Sequence, residues 1–418
     1  MRDEQLLGRI RTRLAELPPE PAAATIAELI RTETGGVISN QKVLELLRTL
    51  REDTIGAGVV DKLLRLPGVS DVLICAPDQV WLDRGHGLER SEVTFASEEQ
   101  LRAFAVRLAA RCGRRLDDAA PWADGHIPGG VGGNGIRIHA VLAPPAHGGT
   151  QVSLRVLRPA RKGLAELAQA GMCPPEIHRL LRSIVAAQLS FIVAGGTGAG
   201  KTTLLAAMLS SVAETERIIC IEDTPELAPA HPHVVKLVTR AQNLEGAGVI
   251  TQQDLVRQAL RMRPDRIVVG EIRGAEVIDL LAALNTGHRG GAGTIHANRL
   301  DDVIARFEAL GLMGGLDAPA LRAQLISAVQ VVIVVRKVRT QAPERAGDVH
   351  SATTAVAVDA PARRCVAEIG VLVPNPARVI PAWDCHRGPR EGWEIVQRLL
   401  DPETAEMPEP HSLEETAI

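Results

Sequence analysis

The stretch "LSFIVAGGTGAGKTTLL", residues 189–205, narrows the fold more than any other part of the chain. An apolar run of strand length leads into a glycine-dense turn and then into a helix-forming run. Gly195, Gly200, Lys201 and Thr202 satisfy G-x-x-x-x-G-K-[ST], the phosphate-binding loop. Gly196 and Gly198 let the backbone wrap an anion with its N–H groups pointing inward, and Thr197 and Ala199 complete the loop. The helix that follows, continued by Thr203, adds the positive end of its dipole. Lys201 is expected to reach the β- and γ-phosphates, and the Thr202 hydroxyl to hold Mg²⁺. The predicted cofactors are ATP and Mg²⁺.

A strand that feeds such a loop needs parallel neighbours. Near-continuous apolar runs recur at "RIICIED", "VVKLV", "RIVVGEI" and "VVIVV", with helical segments between several of them. That rhythm predicts a buried, largely parallel sheet over residues 161–375. Upstream, residues 66–160 read as a smaller α/β domain. "SDVLICAPDQVWLDR" has the pattern of a hairpin, "EEQLRAFAVRLAARCGRRL" of a helix, and "GIRIHAVLA" and "TQVSLRVLR" of strands. Residues 1–65 carry apolar spacing of helical period in "TIAELIRTE" and "NQKVLELLRTLRED". Residues 376–418 turn Pro-, Arg- and Glu-rich and are expected to form a disordered tail.

Aromatic residues make up 2% of the chain and tyrosine is absent, so these cores must be built from Ala, Val, Leu and Ile. The net charge of −3 argues against a generally basic nucleic-acid binder. Six cysteines lie scattered without a C-x-x-C pair, which argues against a zinc site or disulfide framework and favours a reduced, cytosolic setting. Neither a signal peptide nor an apolar run long enough to span a bilayer is present, so work at a membrane is expected to go through a partner.

Two acidic strand ends follow the glycine loop. "RIICIEDTPEL" places Glu222 and Asp223, and "PDRIVVGEIRG" places Glu271, at carboxyl ends that line the phosphate crevice of a parallel sheet. Such acids can hold Mg²⁺ or orient the attacking water. Gly270 is expected to leave room for close approach. In "TQQDLVRQALRMRPDR", Thr251 and Asp254 fit a capping box, so a helix should begin there. Arg257 and Arg261 would then share one face, with Arg263 just beyond, as a solvated stripe or as groups reaching a neighbouring subunit's nucleotide. "NTGHRGGAGTIHANRL" holds two histidines. His296, at the phosphate end of the next strand, is expected to position the γ-phosphate; His288 is expected to hold the turn or a subunit interface.

Together these motifs resemble the type II/type IV secretion traffic ATPase superfamily, and most closely its Tad/CpaF-like pilus assembly and secretion branch. "GGTGAGKTTLL" is similar to the family's Walker A, "IEDTPEL" to its Asp box, "LRMRPDRIVVGEIRGAEVIDLLAALNTGH" to its Walker B region and "GHRGGAGTIHAN" to its His box. "GRRLDDAAPWADGHIPGG" and "SLRVLRP" look like stretches of the family's N-terminal domain that close over nucleotide. The resemblance implies a RecA-like P-loop ATPase domain preceded by a smaller α/β domain and an N-terminal helical segment. It also implies a homo-hexamer in the cytoplasm, peripheral to the inner membrane through a polytopic platform protein. By the same resemblance Glu271 is the water-orienting acid, Glu222 an acid near Mg²⁺ and the γ-phosphate, Arg137 and Arg155 nucleotide-binding, and Arg240, with Arg261 and Arg263, candidate arginine fingers. One departure is Gly293, which stands where the Tad branch usually has the first of two threonines, with Thr294 kept.

Three rival readings stand beside this one. A RecA-like nucleic-acid or DNA-transfer motor usually shows basic or aromatic loops, which four Phe and four Trp do not suggest. A nucleotide-bound scaffold without turnover is opposed by intact Lys201, Thr202, Glu222, Glu271 and His296. A small-molecule kinase finds no dedicated acceptor pocket in the sequence.

Overall fold

The structure is a computed structural model. It describes residues 60–85, 87–129, 135–242, 246–338 and 363–401, with a helix and shorter fragments between 10 and 43. The chain divides into two compact units, Met1–Leu157 and Arg158–Ile418.

In the first unit, helix α1 (Ala23–Glu33) covers the first of the two helical stretches expected there. The second is described only at 41–43, and the rest of it lies outside the described residues. A short helix α2 (Asp61–Leu64) leads into strands β1 (Asp71–Ala76), β2 (Gln79–Asp83) and β3 (Leu88–Arg90). Helix α3 (Glu98–Arg111) follows, with Ser97 Oγ accepting from the Gln100 N–H as its cap. Strands β4 (Trp122–Ile127), β5 (Gly135–Val141) and β6 (Gln151–Leu157) complete an antiparallel sheet of order β3-β2-β1-β6-β5-β4. Alternation along β5 and β6 turns Ile136, Ile138, Val152 and Leu154 toward Leu101, Phe104 and Leu108 of α3.

The second unit carries helices α4 (Leu164–Gln169) and α5 (Pro175–Ala186), then strand β7 (Phe191–Gly195) and helix α6 (Lys201–Leu209). Strands β8 (Ile218–Glu222) and β9 (Val234–Val238), helix α7 (Gln252–Ala259), strand β10 (Arg266–Val269) and helix α8 (Glu276–Asn285) come next. Strand β11 (Ala292–Ile295), helices α9 (Asp302–Met313) and α10 (Ala318–Ala328) and strand β12 (Val331–Val338) close the parallel part. All four residues or more of β7, β8, β10 and β11 are buried, as strands covered on both faces require. The order β12-β7-β11-β10-β8-β9 inserts β11 between the loop strand β7 and the acid-bearing β10. This is a RecA-like P-loop sheet.

The expected disordered tail is corrected here. An antiparallel extension, β13 (Arg363–Pro374), β14 (Ala377–Asp384) and β15 (Gly388–Pro389), continues the sheet from β12, and helix α11 (Trp393–Leu400) follows. Val379, Ile380, Ala382 and Trp383 are buried, so β14 is a core strand despite its Pro- and Arg-rich composition. A register shift between Ile369 and Gly370 accommodates Pro381 in the ladder. Residues 402–418 lie outside the described residues.

Candidate nucleotide site

The site forms where β7, β8, β10 and β11 end together. Gly198 and Gly200 lie in left-handed backbone, at φ +70° and +99°, which opens the loop between β7 and α6. The Lys201 ammonium turns back over that loop. It donates to Gly195 O at 3.0 Å and Gly196 O at 3.1 Å, and it reaches His296 Nδ1 at 3.4 Å. Burial holds this ammonium below the usual lysine range, with Glu271 opposing the shift.

An ammonium only donates, so His296 Nδ1 must accept and its proton sits on Nε2. That nitrogen is in close contact with Glu271 Oε1, off the line of an aligned hydrogen bond. Burial, reinforced by the Lys201 charge, keeps the imidazole below its ordinary value, so His296 is neutral near pH 7. Glu271 Oε2 pairs with Arg273, whose other arm lies 3.6 Å from Asp223 Oδ2. The P-loop lysine, the histidine and the acid predicted from sequence are therefore one contiguous set.

The loop carrying Glu271 is held from both sides. Thr294 Oγ1 donates to Gly270 O at 2.7 Å, and Ile272 N–H donates to Thr294 O at 2.8 Å. The buried Glu276 carboxylate accepts from the N–H groups of Arg273 and Gly274 at 2.6 and 2.8 Å. Gly293 now has a physical reason, since a Cβ there would stand 2.9 Å from Ile272 Cδ1 and 3.2 Å from Val269 O. A threonine at this position would force the Ile272 side chain and the Val269 carbonyl to shift.

Glu222 is placed differently from Glu271. Its Oε1 accepts from the N–H groups of Glu226 and Leu227 at 3.1 and 2.9 Å. Its Oε2 is buried and has no hydrogen-bond partner among the described residues. Burial pushes this carboxyl up to about 7. The room left by Gly270 serves this side chain: a Cβ at Gly270 would stand 2.7 Å from Glu222 Cγ. An orphaned buried oxygen together with the Thr202 hydroxyl at the start of α6 fits Mg²⁺, an ion that typically takes one or two protein groups plus phosphate oxygens and water. No group of three or more His, Cys, Asp or Glu side chains among the described residues forms a self-sufficient metal site.

The histidines of "NTGHRGGAGTIHANRL" separate cleanly. Helix α8 gives way at Thr286, Gly287 takes φ +108°, and His288 Nδ1 donates to Ala283 O at 3.1 Å. His288 caps the helix end and has no place among the groups around Lys201.

Of the arginines predicted from sequence, those in the second unit make no hydrogen bond or ion pair with Lys201, Glu222, Glu271 or His296 among the described residues. Helix α7 follows the expected capping box at its N-cap Thr251 but ends at Ala259, so Arg261 does not share a helical face with Arg257. Arg257 pairs with Asp279 at 2.7 Å, and Arg261 and Arg263 are exposed beyond the helix. Arg240 Nε donates to Gly248 O at 2.7 Å within its own loop. Arg137 and Arg155 lie in the first unit, paired with Asp124 at 3.1 Å and Asp71 at 2.8 Å. Sequence reading missed Arg273, Glu276 and Arg364, whose Nε donates to Gly198 O at 2.9 Å. Arg273 and Glu276 follow Glu271 within five residues, and that proximity was the only available signal.

A left-handed glycine loop feeding a helix, two acids at neighbouring strand ends and an inserted histidine-bearing strand define a P-loop protein of the RecA-like class. A sequence profile described as type II/IV secretion system protein matches residues 53–387, and the chain belongs to that family of secretion and traffic ATPases. It is 55% identical over 367 residues to a putative conjugal transfer protein of Mycobacterium tuberculosis, covering 87% of this chain and 98% of that one. It is 31% identical over 305 residues to the type IV secretion system protein PtlH homolog of Bordetella bronchiseptica, covering 66% and 88%. The crystal structure of the VirB11 ATPase from the Brucella suis type IV secretion system aligns with 27% identity and a TM-score of 0.34, over 69% of this chain and 90% of that one. Among the described residues no helix is long and apolar enough to cross a membrane.

Proposed function

We propose that this chain hydrolyses ATP as a homohexameric motor at the cytoplasmic face of the inner membrane, in Tad-type pilus assembly or type II/IV secretion. The observation that carries the catalytic part is the contact series Lys201–His296–Glu271 at the ends of three adjacent strands. The ring, the polytopic platform partner and the reach of Arg137, Arg155, Arg240, Arg261 and Arg263 toward nucleotide are supported by family membership.

A triphosphate entering the loop draws Lys201 from the Gly195 and Gly196 carbonyls to its phosphate oxygens. The Nε2–H of neutral His296 then swings from Glu271 to the γ-phosphate. Glu271 Oε1 is released to orient the attacking water, so the acid becomes available only when the triphosphate is present. Thr202 and Glu222 would hold Mg²⁺, which when bound neutralises charge on the β- and γ-phosphates.

Glu271→Gln should keep ATP binding while turnover falls by about 10²–10⁴-fold, the range for a lost general base. Phosphate release near the wild-type rate in that variant would remove the assignment of Glu271. Lys201→Ala should lose nucleotide binding itself. The name of the mycobacterial relative favours a second reading, a DNA-transfer motor. Several-fold stimulation of turnover by single-stranded DNA would select it.

A further inference from the structure

We infer that Arg364 is a further part of the nucleotide site: a positioning residue that fastens the phosphate loop in its binding shape and sets a positive charge at its rim. This rests on the ATP-binding reading above. Arg364 stands at the start of β13, in register with Lys337 of β12, and β12 lies beside β7, which feeds the loop. It thus reaches the loop from a paired strand of the same sheet, although the two are far apart in sequence.

Three residues of β13 make contacts in this region. Arg364 Nε donates to Gly198 O, and its Cδ lies 3.2 Å from where a Cβ at Gly200 would stand, so its stem rests on the crown of the loop. Arg363, pointing to the other face of the strand, donates through Nε to Gly171 O at 3.0 Å. Val366 N–H donates to Met172 O at 2.8 Å, and Met172 Cε lies 3.6 Å from the same Gly200 position. The turn at 171–172 and the loop crown are therefore both pinned to β13.

Such pinning has a physical use. Gly198 and Gly200 take left-handed backbone that glycine reaches freely, and a free chain there would sample many shapes. Holding the Gly198 carbonyl outward leaves the neighbouring N–H groups turned toward the anion. Arg273 and Arg336 each pair with a carboxylate, whereas no ion pair joins Arg364 to an acid among the described residues. Its charge is therefore left to the loop and to what the loop binds. Gly198–Gly200 belong to the part of the loop that cradles the α- and β-phosphates, so the ligand class is a nucleoside diphosphate or triphosphate alike.

The test is titration of full-length protein with ADP and with ATP, using Arg364→Gln and Arg364→Lys. At about 0.05 M salt Arg364→Gln should weaken both nucleotides about tenfold, and at about 0.5 M salt the loss should shrink to roughly twofold, because exposed charge is screened. Turnover at saturating ATP should fall by less than binding does, so that the loss reads mainly as a raised KM. Arg364→Lys keeps the charge without the fixed Nε donor and should fall between the two. The inference is overturned if Arg364→Gln binds both nucleotides within twofold of wild type. It is also overturned if the loss is equal at both salt concentrations, or confined to ATP. Should Arg364→Gln fail to fold, the Lys variant decides: wild-type affinity for both nucleotides, or a loss confined to ATP, overturns the inference. If wild-type protein binds neither nucleotide, the ATP reading fails first, and that result is distinct from a failure of Arg364.

Discussion

Strand β10 carries an arginine at one end and a glutamate just past the other, and the two are treated in opposite ways. At the amino end Arg266 is 1% exposed and its donors are matched. It pairs with Glu216 through Nε at 2.8 Å and Nη2 at 3.1 Å, and donates to Val185 O at 2.9 Å and Gly290 O at 3.4 Å. At the carboxyl end Glu271 meets a partly exposed His296 without an aligned bond, and nearby Glu222 keeps a buried oxygen without a partner. Strand β11 repeats the contrast with its two histidines: His288 caps a helix before it, and His296 faces the loop lysine after it. A structural site satisfies its polar atoms internally, while a binding site leaves some unmatched until its ligand arrives.

The largest test of that contrast lies at the amino end. Arg266→Ala leaves Glu216 facing a buried void and strips partners from two carbonyls, so unfolding free energy should fall by about 3–5 kcal/mol in urea titration. ATP turnover per folded molecule should stay near wild type. A loss of turnover without a loss of stability would erase the distinction between the two ends.

At the other end, relieving the mismatch should stabilise. The Glu222 carboxyl is raised from 4.5 to about 7, so the folded state holds that proton more tightly than the unfolded chain. Stability from this group is therefore fully present below pH 4.5 and is lost as pH rises through about 7. Glu222→Gln cannot ionise. In metal-free buffer it should match wild type near pH 4.5 and exceed it by roughly 2–4 kcal/mol above pH 7. Thermal melts across that range check the sign, and a variant less stable than wild type at the alkaline end would refute it. Added Mg²⁺ and ADP should narrow the gap by binding the wild-type carboxylate.

The same contrast explains what the sequence could disclose. Lys201, Glu222, Glu271 and His296 sit in contiguous motifs whose residue types state their chemistry, so each was legible before any coordinates. Arg364 was not, because its partner Gly198 is 166 residues away and only the β12–β13 pairing brings them together. Strand β14 hid behind its composition, since the alternation of Val379, Trp383 and their neighbours is interrupted by Pro381. By residue type alone the glycines of the His-box stretch suit a turn. Gly291 instead excludes a clash, as a Cβ there would stand 2.3 Å from Leu284 Cδ2 and 2.9 Å from Ile267 O. Spacing discloses turns and loops; it does not disclose where two backbones nearly touch.

The smallest effect gives the sharpest separation, because the two histidines lie eight positions apart in one stretch. His288→Ala removes one hydrogen bond to the last turn of α8 and should cost about 0.5–1.5 kcal/mol of stability with turnover within twofold. His296→Ala removes a partly exposed side chain whose contacts are to Lys201 and Glu271, so stability should change less than that. Its turnover should nevertheless fall by about 10²-fold if the imidazole links the γ-phosphate to Glu271. Measuring melting temperature and turnover on both variants places each histidine independently. Equal losses of turnover would mean that the His288 cap also shapes β11, which would make the amino end of that strand part of the catalytic machinery.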